Sequence, residues 1–193
     1  VDSLFDRRPV RLACEMAAEA GTQRMNFLPE RIVHQSDGMM VLGTGWDTEA
    51  QDWFRACLKL SDIKTLVDVA VEWPEGQPPP RSNWSEYTGQ RLGIDAGLIR
   101  DYESAPQTLR VWVESDLAQQ FLHEPVHASQ DLRIEHAGDG IILTLQLVPN
   151  EHWMRFAMQW GSKMQVLEPA ALRDRLRDET RLASDRYAPM FGP

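Results

Sequence analysis

Apolar and polar residues alternate with a period of two over most of residues 10–71, the signature of strands with one buried face. In VRLACE (10–15), Val10, Leu12 and Cys14 share a side. RMNFL (24–28) runs up to Pro29, and RIVH (31–34) leads into QSDG (35–38). MMVLGTGW (39–46) leaves that turn, so the two runs predict a hairpin. WFRACLKL (53–60) alternates cleanly, with Phe54, Ala56, Leu58 and Leu60 on one side and Trp53, Arg55, Cys57 and Lys59 on the other. IKTLVDVAVE (63–72) reads as a further strand. Short strands with Gly- and Pro-marked turns predict a small, strongly bent barrel. PEGQPPPR (74–81) is a loop, because proline offers no N–H and fixes φ. SNWSEYTGQRLG (82–93) holds a short helix, and DYESAPQ (101–107) reads as a linker.

After residue 107 the period changes. LRVWV (109–113) is a strand, and Asp116 is placed to cap a helix to His123 with Leu117, Phe121 and Leu122 on its apolar side. LRIE (132–135) and IILTLQLV (141–148) flank HAGDG as a hairpin. Asn150 caps a second helix striped by Trp153, Phe156, Ala157 and Trp160, with Gly161 just past its end. KMQVL (163–167) is a fourth strand. Pro169 opens a last helix striped by Leu172, Leu176, Ala183 and Tyr187. The order β-α-β-β-α-β plus one helix is the split βαβ, ferredoxin-like order.

Composition narrows the classes. The chain has 193 residues, 42% of them hydrophobic, enough for one large domain or two small ones with real cores. Cys14 and Cys57 lack metal-type spacing, which fits a reduced, cytoplasmic setting. No apolar run is long enough for a membrane helix and no signal peptide is visible, so no membrane partner is expected. A net charge of −9 argues against duplex DNA binding by this chain alone. The chain opens on Val1 without an initiator methionine, and a preceding domain is expected.

Candidate chemistry is sparse. HEPVH (123–127) matches the pattern of a helix-borne zinc site, His123 and His127 flanking Glu124. Pro125 would break that helix, so a helix end and turn is the better reading, and no metal or other cofactor is expected. Trp53, Arg55 and Lys59 put one aromatic and two cations on one strand face, with Arg11 and Arg24 near on neighbouring strands. That layout suits stacking on bases and holding phosphates. Read by itself it fits an ordinary solvated face better. Trp153 and Trp160 pack a core or a dimer interface. No phosphate loop, nucleophile elbow or catalytic triad is present, so the chain is not expected to be an enzyme.

The order of these segments resembles WYL-domain transcriptional regulators that carry the C-terminal extension called WCX. RRPVRLAC (7–14), LPERIVHQSDG (28–38), MMVL (39–42) and LKLSDI (58–63) fall where the family writes its first strand, its Pro-x-Arg segment, its Trp-Tyr-Leu motif and its closing motif. LRVWVESDLAQQFLHEPVHASQ (109–130) and MQVLEPAALRDRL (164–176) resemble the opening and close of the extension. The resemblance implies an α+β chain: a small Sm-like or SH3-like β-barrel over 1–104, then a ferredoxin-like βαββαβ domain over 105–193 with an extra C-terminal helix. It implies a homodimer that senses a nucleic-acid or nucleotide-like effector, single-stranded DNA or RNA first among the choices. Duplex DNA would be held by a winged helix-turn-helix preceding this chain, whose connecting helix would end at SLFDRR (3–8). Such regulators control DNA-damage responses or phage defence. A nucleic-acid-binding accessory module for a partner enzyme or defence system is the alternative.

The resemblance strengthens Arg11, Trp53, Arg55 and Lys59 as ligand contacts, and Arg24, Arg31, His34 and Trp46 are further candidates in the first part, with Arg110, His127 and Arg133, and Trp112 beside them, as the candidates of the second. The sequence departs from the family at Cys14, Met40, Val41 and Asp62, where the family writes Tyr, Trp, Tyr and Arg. With its aromatic pair gone, strand 39–46 turns largely to core. Trp46 and strand 53–60 are left to bind.

Overall fold

A computed structural model describes residues 8–15, 22–36, 38–67 and 78–187, with only the backbone over 132–137. The chain is α+β and its strand pairs are antiparallel. It divides into two compact units, Val1–Tyr87 with Ile94–Glu103, and Thr88–Gly93 with Ser104–Pro193.

The first unit contains β1 (Val10–Glu15), β2 (Thr22–Gln35), β3 (Gly38–Asp47), β4 (Asp52–Lys59), β5 (Ile63–Val67), α1 (Trp84–Gly89) and β6 (Gly97–Ile99). The strands form one sheet in the order β5-β1-β2-β3-β4-β6. Among the described residues this sheet is open rather than a closed barrel, with β5 and β6 at its edges. The runs 24–28 and 31–34 are not separate strands. They are one 14-residue strand, whose register shifts between Pro29 and Arg31 at a bulge, the kind of place where a strand tolerates proline. Asp37 of the SDG turn, residues 3–7 of the SLFDRR segment and the stretch 68–77 fall outside the described residues.

Each sheet face buries its own cluster. On one face Val10, Leu12, Cys14, Phe27, Val41, Ala56 and Leu58 pack together. Gly43 and Gly45 belong to this face. A Cβ on Gly43 would strike the Leu28 carbonyl and the Phe27 ring, and one on Gly45 would strike the Phe54 ring. The GTG of β3 is therefore a seat for two aromatic rings laid flat on the sheet. On the opposite face Met40, Leu42 and Cys57 pack under Trp84, Tyr87 and Ile94. Residues 82–87 and 94–103 thus strap that face.

The second unit runs β7 (Gln107–Glu114), α2 (Ser115–His123), β8 (Asp131–Ala137), β9 (Gly140–Leu147), α3 (Glu151–Gln159), β10 (Met164–Glu168) and α4 (Ala170–Tyr187). Its sheet has the order β10-β7-β9-β8. Leu109, Val111, Val113, Ile141, Leu143, Leu145 and Leu147 bury one sheet face against Leu117 and Phe121 of α2, Trp153 of α3 and Leu172 of α4. The Asn150 side chain accepts a hydrogen bond from Trp153 N at 3.1 Å, and Gly161 takes φ +55°, so both predicted ends of α3 form. Asp116 does not cap α2. The helix begins at Ser115, whose hydroxyl donates to the Asp139 carbonyl, and Asp116 lies within its first turn.

Candidate nucleic-acid interface

Strand register decides which candidates meet. Arg11 of β1 pairs with Asn26 of β2, Asn26 with Trp46 of β3, and Trp46 with Trp53 of β4. These four residues form one row across the strapped face, and Arg24 lies two positions from Asn26 on the same side. Arg11, Arg24, Met25, Asn26, Trp46 and Thr48 line an open pocket of about 210 Å³. Trp46 is 8% exposed and forms the floor, its ring edge-on to Trp53 at 5.0 Å. The two arginines are exposed walls. Arg11 Nε donates to Asn26 Oδ1 at 3.4 Å, which leaves the Asn26 amide nitrogen as a further donor. Among the described residues neither Arg11 nor Arg24 has a carboxylate partner. The pocket therefore presents donors round an indole and suits an oxygen-rich anion with an apolar or aromatic part.

The next rows are closed by the strap. Arg55 is opposite Thr44 in β3 and Ile99 in β6. Its Nε donates to Ser82 Oγ at 2.9 Å, its guanidinium carbon lies 3.8 Å from the Tyr102 ring centroid, and Glu103 is 3.8 Å from Nη1. Arg31 Nη1 donates to Ser85 Oγ. Thr44 is fully buried, and its hydroxyl and Trp84 Nε1 both donate to Glu30 Oε2, at 2.9 and 3.0 Å. Gln35 exchanges two hydrogen bonds with the backbone of Ile94. Arg31 and Arg55, two cations of the expected site, are thus held by hydroxyls, a carboxylate and a phenol ring of the strap itself.

The remaining candidates are dispersed. Lys59 sits farther along β4, lining a cavity of about 10 Å³ with Glu15 and Asp62, room for one water at most. His34 pairs with Met39 and is exposed near the hairpin tip, on the opposite face from Arg11. In the second unit Arg110 pairs with Glu168 at 3.4 Å. His127 Nδ1 accepts from Ser129 N at 3.1 Å and contacts Ser129 Oγ at 2.8 Å, and Gln130 bonds Val126 N and the Phe121 carbonyl. His127 is thereby part of a turn. The Arg133 side chain lies outside the described residues. Helix α2 ends at His123, with Glu124 already at φ −124° and ψ 87°, so His123 and His127 do not share a helical face. Among the described residues no group of three His, Cys, Asp or Glu side chains is placed to hold a metal ion. None of the described helices is long and apolar enough to cross a membrane.

Sequence reading missed Asn26, Thr48 and the strap. Asn26 was within reach, since it is two residues from Arg24 and period-two spacing puts them on one face. Pairing Asn26 with Arg11 required the register of two strands separated by a loop. That Tyr102 would cover Arg55 left no local mark.

Comparison with known proteins bears on the second half most directly. Residues 105–184 match the WCX domain. No curated protein matches the chain. Among solved structures, one described as a CRISPR Cas-related protein superposes with a TM-score of 0.55 at 10% identity, over 96% of this chain and 50% of that one. The proteasome accessory factor B/C (PafBC) of Arthrobacter aurescens gives a TM-score of 0.36 at 16% identity, over 97% of this chain and 26% of that one. The chain spans about half the length of the first and about a quarter of the second. The likeness to the CRISPR Cas-related protein extends over both units and is a likeness of fold.

Proposed function

We propose that this chain is the effector-sensing and dimerisation region of a WYL/WCX-type bacterial transcriptional regulator. The first unit is an opened form of the Sm-like barrel and the second a ferredoxin-like WCX domain. The WCX match and the 4-1-3-2 order of strands in the second sheet support that reading. The observation that carries the sensing function is the pocket, where Arg11 and Arg24, without a carboxylate partner among the described residues, stand beside the Trp46 floor. Its effector is nucleic acid or nucleotide-like. The chain acts in the cytoplasm, as a homodimer and without catalysis. Duplex DNA is bound by a winged helix-turn-helix domain joined ahead of it, and the genes controlled belong to DNA-damage or defence responses.

Fluorescence anisotropy with short single-stranded DNA and RNA at two salt concentrations tests the effector. Binding that weakens with salt and is lost in Arg11→Ala and Arg24→Ala supports the pocket. Binding untouched by both substitutions overturns it. Light scattering at twice the monomer mass supports the homodimer.

A second reading draws on the CRISPR Cas-related fold neighbour. In it the chain is an accessory module that delivers nucleic acid to a partner enzyme or defence system. A helix-turn-helix encoded upstream favours the first reading, and an adjoining nuclease gene favours the second.

A further inference from the structure

The pocket is short, bounded along the strands by an acidic turn on one side and by the strap on the other. From Trp46 and Arg24 the surface turns into a neighbouring cavity of about 300 Å³, lined by Gln23, Asp47, Glu49 and Phe54 among others. Asp47 Oδ1 accepts from Glu49 N and Ala50 N, which fixes this turn, and Glu49 is exposed beside it. In the other direction the row of Thr44 and Arg55 is sealed by the strap, with the Glu30 carboxylate under Trp84. The exposed positive surface therefore covers the Arg11–Asn26–Trp46 row and Arg24, about 7 Å along the strand direction. A polyanion threaded through the site would carry its next phosphates toward Asp47 and Glu49 on one side or into the strap on the other. The carboxylates of Asp47 and Glu49 oppose the first path, and the packed strap blocks the second. A single dianionic group suits the place better, since two arginines and an amide donor line it together.

Resting on the reading of this pocket as a nucleic-acid or nucleotide site, we infer that it recognises a terminal phosphate, the end of a strand or a mononucleotide, and not the interior of a strand. The adjacent acidic turn is the element that excludes continuous strand. In this arrangement the protein responds to broken or processed nucleic acid, because cleavage is what creates phosphorylated ends.

The test compares short single-stranded oligonucleotides of one sequence with a 5′-phosphate, a 3′-phosphate or neither, and a covalently closed circle of that sequence, as competitors against a labelled phosphorylated strand on the full chain. Adenosine monophosphate and inorganic phosphate are run beside them. The expected result is that one phosphorylated end competes about tenfold or more better than the circle, and that Arg24→Ala removes the difference. The logarithmic salt slope for the phosphorylated strand should be no steeper than about −2, given roughly 0.7 per neutralised phosphate on single strands. Glu49→Gln should narrow the gap by improving binding of the circle. A circle that binds as well as the phosphorylated strand, or a slope steeper than about −3, overturns end recognition while leaving nucleic-acid binding in place. Competition by inorganic phosphate equal to that of any strand reduces the site to a simple anion site and overturns it too. If no nucleic acid, nucleotide or phosphate binds, the effector reading itself falls, and end recognition with it.

Discussion

The guanidinium of Arg55 lies 3.8 Å from the centroid of the Tyr102 ring, 47 positions later in the chain. Tyr102 is in turn stacked on Tyr87 at 5.3 Å and edge-on to Trp84 at 5.4 Å, and its hydroxyl accepts from Asn83 N. Arg55 thus holds the two ends of the strap, through Ser82 on one side and Tyr102 on the other. Arg55→Ala is expected to lower stability by about 1–2 kcal/mol, from one cation–π contact and one charged hydrogen bond at a partly exposed site. Nucleic-acid affinity should stay unchanged. Urea denaturation and anisotropy on the same protein separate the two. A loss of affinity at full stability would return Arg55 to the binding site.

The Glu30 carboxylate is the shared acceptor of Thr44 and Trp84. Glu30→Ala would strand a fully buried hydroxyl and a buried indole N–H, at a cost of about 2–4 kcal/mol. Glu30→Gln keeps an acceptor oxygen and should cost roughly half as much. Equal losses in the two variants, measured by urea midpoint, would mean that packing and not hydrogen bonding is at stake.

Gly43 and Gly45 of β3 predict an asymmetry. Gly43→Ala pushes a methyl against the Leu28 backbone carbonyl, which cannot turn away, whereas Gly45→Ala meets the end of the Phe54 ring, which can. Both variants overpack the face, for about 1–3 kcal/mol, with Gly43→Ala the costlier. Phe54→Leu should rescue Gly45→Ala and not Gly43→Ala in a double-mutant cycle.

Asn150 does two jobs with two atoms. Its Oδ1 caps α3 at Trp153 N, and its Nδ2 donates to the Gly93 carbonyl at 2.8 Å. Asn150→Asp retains the cap and loses the donor. Asn150→Ala loses both, at about 1–2 kcal/mol for the cap alone. Thermal unfolding should place the Asp variant between the wild type and Ala. An Asp variant as unstable as Ala would show that the bond to residue 93 matters more than the cap.

The second unit was more legible than the first, for a physical reason. Its elements are read from local signals: the period-two stripe of Ile141 to Leu147, the Asn150 cap, the left-handed Gly161, the Pro169 start. Where the local signal was ambiguous, as between Ser115 and Asp116, the boundary slipped by one residue because Asp139 offered Ser115 a partner from across the hairpin. In the first unit the strands were visible but their meeting was not. Pro29 looked like a stop and is a bulge. The candidate site was half legible. Alternation put Trp53, Arg55 and Lys59 on one face, yet only Trp53 shares a row with Arg11. The strap, whose Trp84 and Tyr102 come from outside the strand pattern, covers most of Arg55. Nothing in WFRACLKL could report a cover supplied by residues 82–87 and 94–103.

The partition of the chain has a consequence for how it can be inherited. Residues 88–93 belong with the second unit, where Gln90 accepts from Val148 N, Leu92 packs on the core and Arg91 is 4% exposed, yet residues 94–103 return to the first. The polypeptide crosses between the units three times, after Tyr87, Gly93 and Glu103. A gene cut once at any of these joints leaves one half without part of its core or the other without its tether. The two units are therefore expected to fold, and to be exchanged, together. Recombination that brings them a new partner has to join outside them, at their ends.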